Sequence, residues 1–258
     1  MTTPSPSPTT VIDKIQEVFP GALESAKLSE RVKETLTKHG FQENTTLVAT
    51  SLCCDEVNRE LEGDFTKIYH HNFNMGGLAG FSFSGVTGFG AMASHIPKNG
   101  SCLLLYGPHV GVDFEGTVGK VNRRGLDDSG ACCGSAAAAC AYVKSVHGGG
   151  EKHSAYPDSA LDAQQFYVGT MLLPQAARIV KAKDENVEVP LALFDVQDEF
   201  MRQIVDKGCG KVAGEGMIAL LGGIQINTPV GVNEYFLPKV FEIRNNKGDK
   251  VVDLLSTL

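Results

Sequence analysis

Two vicinal cysteine pairs and one histidine carry most of the chemical information in this chain. They are Cys53-Cys54 in SLCCDEVNR, His109 in LYGPHVG and Cys132-Cys133 in GACCGSAAAA. One thiolate from each pair with one imidazole makes a Cys2His donor set. Zinc accepts such a set, and three protein ligands leave its fourth position open for water, the mark of a catalytic and not a structural site. Zinc lowers the pKa of that water from about 15.7 toward ~7, so the expected chemistry is hydration or hydrolysis by zinc-bound hydroxide. Cys53 is favoured in the first pair because Cys54 then spaces it from Asp55. Cys133 is favoured in the second because it abuts Gly134, with Cys132 close behind. Asp55 and Arg59 stand four apart, which puts both on one face of a helix. Arg59 would hold the Asp55 carboxylate off the metal, leaving it to take a proton and orient the attacking oxygen. Each piece alone has a plainer reading: buried cysteines are mostly inert, and an acid–arginine pair at this spacing is mostly a solvated surface pair. Convergence is what points to a metal centre.

Those residues need elements to carry them. TTLVATSLC (45–53) is short, β-branched and apolar, as a strand buried on both faces should be. It runs into DEVNRELEGDF, of helical composition, so Cys53 and Asp55 are expected at the carboxyl end of a sheet strand, where open α/β sheets place their sites. SCLLLYGPHV (101–110) is a second buried strand, delivering His109 to the loop at its end. GSAAAACAYVKSV (134–146) reads as a helix with the second cysteine pair at its amino end, where a thiol pKa is lowered.

Around this core the chain reads as scaffold. VIDKIQEVF carries a helical apolar stripe, and a second helix buries Leu28, Val32 and Leu36 and stops at Gly40. Residues 11–40 are thus a helical amino-terminal region. Residues 76–90 hold six glycines among Phe81, Phe83 and Phe89, with no Walker lysine and no GxGxxG, so they are expected to form a loop rather than a phosphate cradle. Ser159 and Asp162 resemble a capping box for a helix to about Lys183, kinked at Pro174. A further helix is expected from Pro190 to Lys207, then a buried strand over 216–227 and a closing hairpin turning at 245–248. GCGKVA (208–213) nearly matches a dinucleotide fingerprint, but it follows a helix and precedes a strand, the reverse of the required context.

Composition narrows the class. Hydrophobic residues are 42% and charged residues 21% of 258, which describes a soluble globular chain. Lys and Arg number 23 against 30 acidic residues, for a net charge of −7 with no basic cluster, which argues against nucleic acid. No apolar run approaches the ~20 residues of a membrane span. Seven cysteines in a chain of this size suit thiols and metal ligation better than a disulfide framework, so a reducing compartment is expected. Residues 1–10, MTTPSPSPTT, are expected to be a disordered tail, with residues 11–258 a single α/β domain.

LCCDEVNR, GGLAGFSFSGVTGFGAMASHIP, YGPHVGVDFEGTVGKVNRRG and ACCGSAAAA together resemble the limiting-CO2-inducible protein B family, relatives of the theta-type carbonic anhydrases. That family is similar in fold and site to β-carbonic anhydrases. The resemblance implies a helix-flanked sheet, zinc held by Cys53, His109 and a cysteine of the Cys132/Cys133 pair, and an Asp55–Arg59 dyad. It also implies a homodimer that hydrates CO2 reversibly to bicarbonate, in a plastid stroma or cytoplasm. Phe81, Phe83 and Gly80 would then line an apolar pocket for CO2. The chain departs from the β-enzyme pattern C-x-D-x-R…H-x-x-C: its arginine comes two residues later, and His109 is far from Cys133. Two other classes remain open: a catalytically silent zinc subunit that binds a partner or bicarbonate in a CO2-concentrating assembly, and a protein whose vicinal cysteines are thiol switches.

Overall fold

The computed structural model describes residues 8–258. Helix α1 (Pro8–Val18) buries Val11 and Ile15, with Phe19 just beyond it. It begins inside the stretch expected to be a tail; residues 1–7 lie outside the described residues. Strand β1 (Leu23–Glu24) leads into α2 (Ser25–Lys38), which buries Leu28, Val32 and Leu36. Gly40 follows with φ +88, the left-handed geometry expected past a helix end. Next come β2 (Thr46–Ser51), α3 (Arg59–Tyr69) and β3 (Asn72–Asn74).

The glycine-rich segment differs from the expected loop, because α4 spans Gly85–Ser94. Helix propensity is overridden by packing there: Phe89, Met92 and Ala93 are buried in the core. Strands β4 (Ser101–Tyr106) and β5 (His109–Gly111) are followed by a small ribbon, β6 (Lys120–Asn122) with β7 (Ser129–Ala131). Helix α5 (Gly134–His147) starts where the sequence placed it. The long helix expected up to Lys183 is instead α6 (Ala163–Leu172) and α7 (Ala176–Val180), parted by a 3-10 turn over Leu173–Gln175 that contains Pro174. Helix α8 (Glu185–Gly208) begins five residues before Pro190, because Asp184 caps it by accepting from Asn186 N at 2.9 Å. Strands β8 (Met217–Asn227), β9 (Tyr235–Asn245) and β10 (Lys250–Asp253) close the chain.

These strands form one mixed sheet in the order β1-β9-β8-β4-β2-β3, with β5 on β8 and β10 on β9. The centre is parallel: β3, β2, β4 and β8 run alike, and β5 joins β8 in the same sense. The β9 side is antiparallel. Side chains alternate between the faces with period two. Cys102, Leu104 and Tyr106 of β4 face the core under α1, α4 and α8, while Leu103 and Leu105 face α2 and α3. A third apolar cluster joins Cys53, Phe81 and Cys133 to α5, α6 and α8. The chain is therefore a single α/β domain with helices on both faces of its sheet. No helix among the described residues is long and apolar enough to cross a membrane.

Candidate metal centre

Parallel order sends the carboxyl ends of β2 and β4 to the same edge, and the chemistry collects there. Cys53 lies two residues past β2. His109 opens β5 and pairs with Gln225 of β8, so it sits on a strand and not in the expected loop. Cys133 is the residue before α5. All three are buried, and ligand atoms of Cys53, His109 and Cys133 fall within 4.8 Å of one another. Cys54 is exposed, which leaves Cys53 as the member of its pair inside the cluster.

Zinc suits this donor set. The Cys53 and Cys133 sulfurs are 3.9 Å apart, and a tetrahedral zinc about 2.3 Å from each sulfur holds two of them about 3.8 Å apart. His109 Nδ1 lies 2.7 Å from Asn227 Oδ1, while its buried Nε2 has no hydrogen-bond partner among the described residues. A buried imidazole nitrogen without a partner is costly unless something binds it. Hydrogen bonding from Cys53 holds the Cys133 thiol below its ordinary value, against burial and with help from the Ala136 and Ser135 amides at the start of α5. The same contact, with burial, pushes Cys53 up to about 12. Cys133 is thus the more readily deprotonated of the two, and a cation bound between the sulfurs would displace their protons.

Cys132 takes a different place. Its sulfur is 3.4 Å from His109 Nδ1 and 3.5 Å from Asn227 Oδ1, so it packs on the outward-bonded side of the ring. Asp55, His109 and Cys132 also lie within 4.8 Å as a group, which brings the carboxylate close to the ligands.

The arginine on Asp55 is Arg123. Its Nη2 donates to Asp55 Oδ2 at 2.9 Å, its Nε to Glu56 at 2.9 Å and its Nη1 to the Ala131 carbonyl at 3.2 Å. Arg59 instead donates to the Cys53 carbonyl at 2.7 Å and pairs with Glu62. The expected Asp55–Arg59 pair fails for a local reason: residues 56–58 form a 3-10 turn and α3 starts only at Arg59. Asp55 precedes the helix, so the four-residue spacing does not place the two on one helical face. Burial works to raise the Asp55 carboxyl, but Glu56, the nearby His109 and Arg123, and the Val57 amide outweigh it and hold it below its ordinary value.

The apolar space beside the ligands also has other walls than expected. A cavity of about 150 Å³ reaches His109 and Cys133 and is lined by Val110, Ala136, Ala137 and Val189 of β5, α5 and α8. Phe81 is fully buried, stacked on Phe83 at 5.3 Å and edge-on to Phe200. Gly80, at φ +89, lets its backbone meet the strand end: a Cβ there would stand 2.3 Å from the Gly107 carbonyl. Sequence reading missed Arg123, Asn227 and Glu234. Arg123 gives no local signal, but Gln225 and Asn227 are polar residues interrupting a buried apolar strand, which is a signal.

A helix-covered, largely parallel sheet with two thiols and an imidazole at its carboxyl edge defines a carbonic-anhydrase-like fold with a group of residues able to hold a metal. Residues 22–245 match the family model of limiting CO2-inducible proteins B/C, β carbonic anhydrases, and the chain belongs to that family. It is similar to the crystal structure of PtLCIB4, a homolog of the limiting CO2-inducible protein LCIB: TM-score 0.89 and 46% identity over 94% of this chain and 99% of that one. The crystal structure of LCIB itself shares the fold, at TM-score 0.70 and 22% identity over 92% and 96% of the two chains. No curated protein matches the chain at a significant level.

Proposed function

We propose that the chain is a zinc carbonic anhydrase that interconverts CO2 and bicarbonate, with Cys53, His109 and Cys133 as ligands. The observation that carries this is the buried thiol pair at 3.9 Å facing an imidazole whose Nε2 has no partner. Bound there, zinc supplies an electrophile that makes water acidic near neutrality. The chain's own residues do the rest. Arg123 holds Asp55 Oδ2, so the carboxylate is kept from swinging among the ligands, and Oδ1, loosely bonded to Val57 N at 3.4 Å, can accept a hydrogen bond from the attacking water and orient it. The small cavity beside Cys133, apolar where Val110, Ala136 and Val189 line it, suits an uncharged substrate. We take the assembly to be a homodimer, which sedimentation velocity tests.

A second reading, a silent zinc subunit of a CO2-concentrating assembly, draws support from the nearness of Asp55 to His109 and Cys132. If Asp55 occupied the fourth position, water would have none. Stopped-flow CO2 hydration on reduced, zinc-quantified protein separates the two. Hydration that disappears in Cys53→Ser, along with the zinc, supports the enzyme. Absence of hydration at full zinc occupancy replaces it with the silent subunit.

A further inference from the structure

At the other ring nitrogen of His109, a chain of buried polar side chains runs away from the thiols. Asn227 has two amide hydrogens, and both are committed: one goes to the Val57 carbonyl at 2.9 Å and one to Glu234 Oε1 at 3.1 Å. Its Oδ1 is therefore the atom presented to His109 Nδ1, 2.7 Å away. A carbonyl oxygen only accepts, so Nδ1 must carry the proton, and a neutral imidazole then has its lone pair on Nε2. Nε2 is the atom left without a partner among the described residues. Glu234 Oε2 accepts from Gln225 Nε2 at 2.9 Å, so both carboxylate oxygens are engaged. Asn227 and Gln225 are wholly buried and Glu234 is 6% exposed.

A carboxylate this deep is an expensive way to fill space. Burial pushes Glu234 up to about 7, with the Gln225 and Asn227 amides pulling the other way. Metal-bound histidines commonly donate their second nitrogen to a carboxylate or carbonyl that fixes ring and tautomer. Here an amide is interposed, and an amide has two ends. Something must decide which end the histidine meets.

We propose that Glu234 is a positioning residue for the metal ligand: by accepting from Asn227 Nδ2 it fixes the amide, and the amide fixes His109 with Nδ1 protonated and Nε2 free. The purpose of this device rests on the zinc reading above. Without an acceptor at position 234, the Asn227 NH2 keeps only the Val57 carbonyl, and the amide can turn its NH2 toward the ring at the cost of that one bond. The ring then accepts at Nδ1 and carries its proton on Nε2, where it blocks a metal.

The test uses the full chain in two measurements. Long-range ¹H–¹⁵N NMR on reduced, metal-free wild-type protein, at a pH where the ring is neutral, should find His109 protonated on Nδ1. A proton on Nε2 overturns the proposal, whatever any variant does. Zinc affinity by chelator competition should then fall about 10–100-fold in Glu234→Leu, with the ring proton redistributed, while Glu234→Gln, which retains an acceptor oxygen, stays close to wild type. A Leu variant with wild-type affinity and tautomer overturns it. So does a Gln variant that loses as much as Leu, because the carboxylate would then act by charge. Should Glu234→Leu not fold, the wild-type ring measurement decides. Hydration is never read, so failure of the carbonic anhydrase reading leaves this result standing.

Discussion

Arg123 and Asp55 are 68 positions apart and meet at 2.9 Å, and the geometry of that contact sets what each arginine near the site should do. The Arg123 guanidinium is forked over Asp55, Glu56 and the Ala131 carbonyl, three acceptors that a lysine could not serve together. A hydrogen bond to a charged group of this kind is worth about 1.5–3 kcal/mol. Arg123→Ala should therefore slow CO2 hydration by roughly 10–100-fold at unchanged zinc content. Arg59→Ala should do the opposite: weaken zinc retention, because Arg59 ties the Cys53 carbonyl, yet leave the rate per bound zinc close to wild type. Stopped-flow rates normalised to zinc check both. An Arg123→Ala protein at full rate, or one less impaired than Arg59→Ala at equal zinc, would sink the assignment. The ligand types were legible in the sequence because each follows a strand end or precedes a helix. The partner of Asp55 was not, because spacing speaks only for residues within one element, and the 3-10 turn at 56–58 broke the element that spacing assumed.

At the scale of elements, the site is held by backbones that touch. Gly107 lies at φ +148, and a Cβ on it would stand 1.7 Å from the Gly223 carbonyl; Gly80 in turn leans on the Gly107 carbonyl. Ser51 Oγ donates to the Gly80 carbonyl at 2.8 Å and ties the end of β2 into the same stack. Strand β8 shifts register between Gly222 and Gly223, where this contact is made. Gly107 also sits two residues before His109. Gly107→Ala should thus push β5 off β8 and displace a ligand, costing about 3–5 kcal/mol, the range of severe backbone and overpacking changes. Urea unfolding and zinc content would both report it, and a variant with wild-type values in both would show the contact to be slack. Much of the fold could be read beforehand: β2, β4 and β8 are apolar runs bounded by turn residues, and α2 and α5 have clean starts. The glycine-rich segment misled, because Phe89 is packed so closely against α8 that Gly208 has no room for a Cβ, and this contact holds α4 helical. Pro174 and Pro190 misled in opposite ways: the first parts two helices, and the second is carried inside one.

For the molecule as a whole, α8 is the member that joins the site to the sheet. Its amino-terminal half puts Val189 on the cavity beside Cys133, and its carboxyl-terminal half is clamped to β9 by charge. Glu242 is nearly buried and accepts from Arg202 Nη1 at 2.8 Å and Arg244 Nε at 2.7 Å. Arg202 also binds Asp198 at 2.8 Å, and Arg244 binds Asp206 at 2.9 Å, so two residues of β9 and three of α8 form one network. Burial alone would raise the Glu242 carboxyl, but the two arginines outweigh it and hold it below its ordinary value of 4.5. A carboxyl lowered in the folded state leaves the unfolded chain binding more protons as the medium is acidified. The clamp therefore contributes fully above about pH 4.5 and is lost as pH falls below that toward the folded value. Removing one member of a buried charge network strands the others, so Glu242→Gln should cost about 2–3 kcal/mol at pH 7, tempered by the partly exposed Arg202. At pH 3.5, below the ordinary value of 4.5, the unfolded chain has largely taken up the proton that the folded carboxyl resists, and the gap between the two proteins should shrink. Comparing the pair at each pH cancels any zinc loss that they share. Denaturant unfolding of both at the two pH values checks this; an equal gap at both would mean that Glu242 stabilises by shape, with its charge irrelevant to how α8 is held.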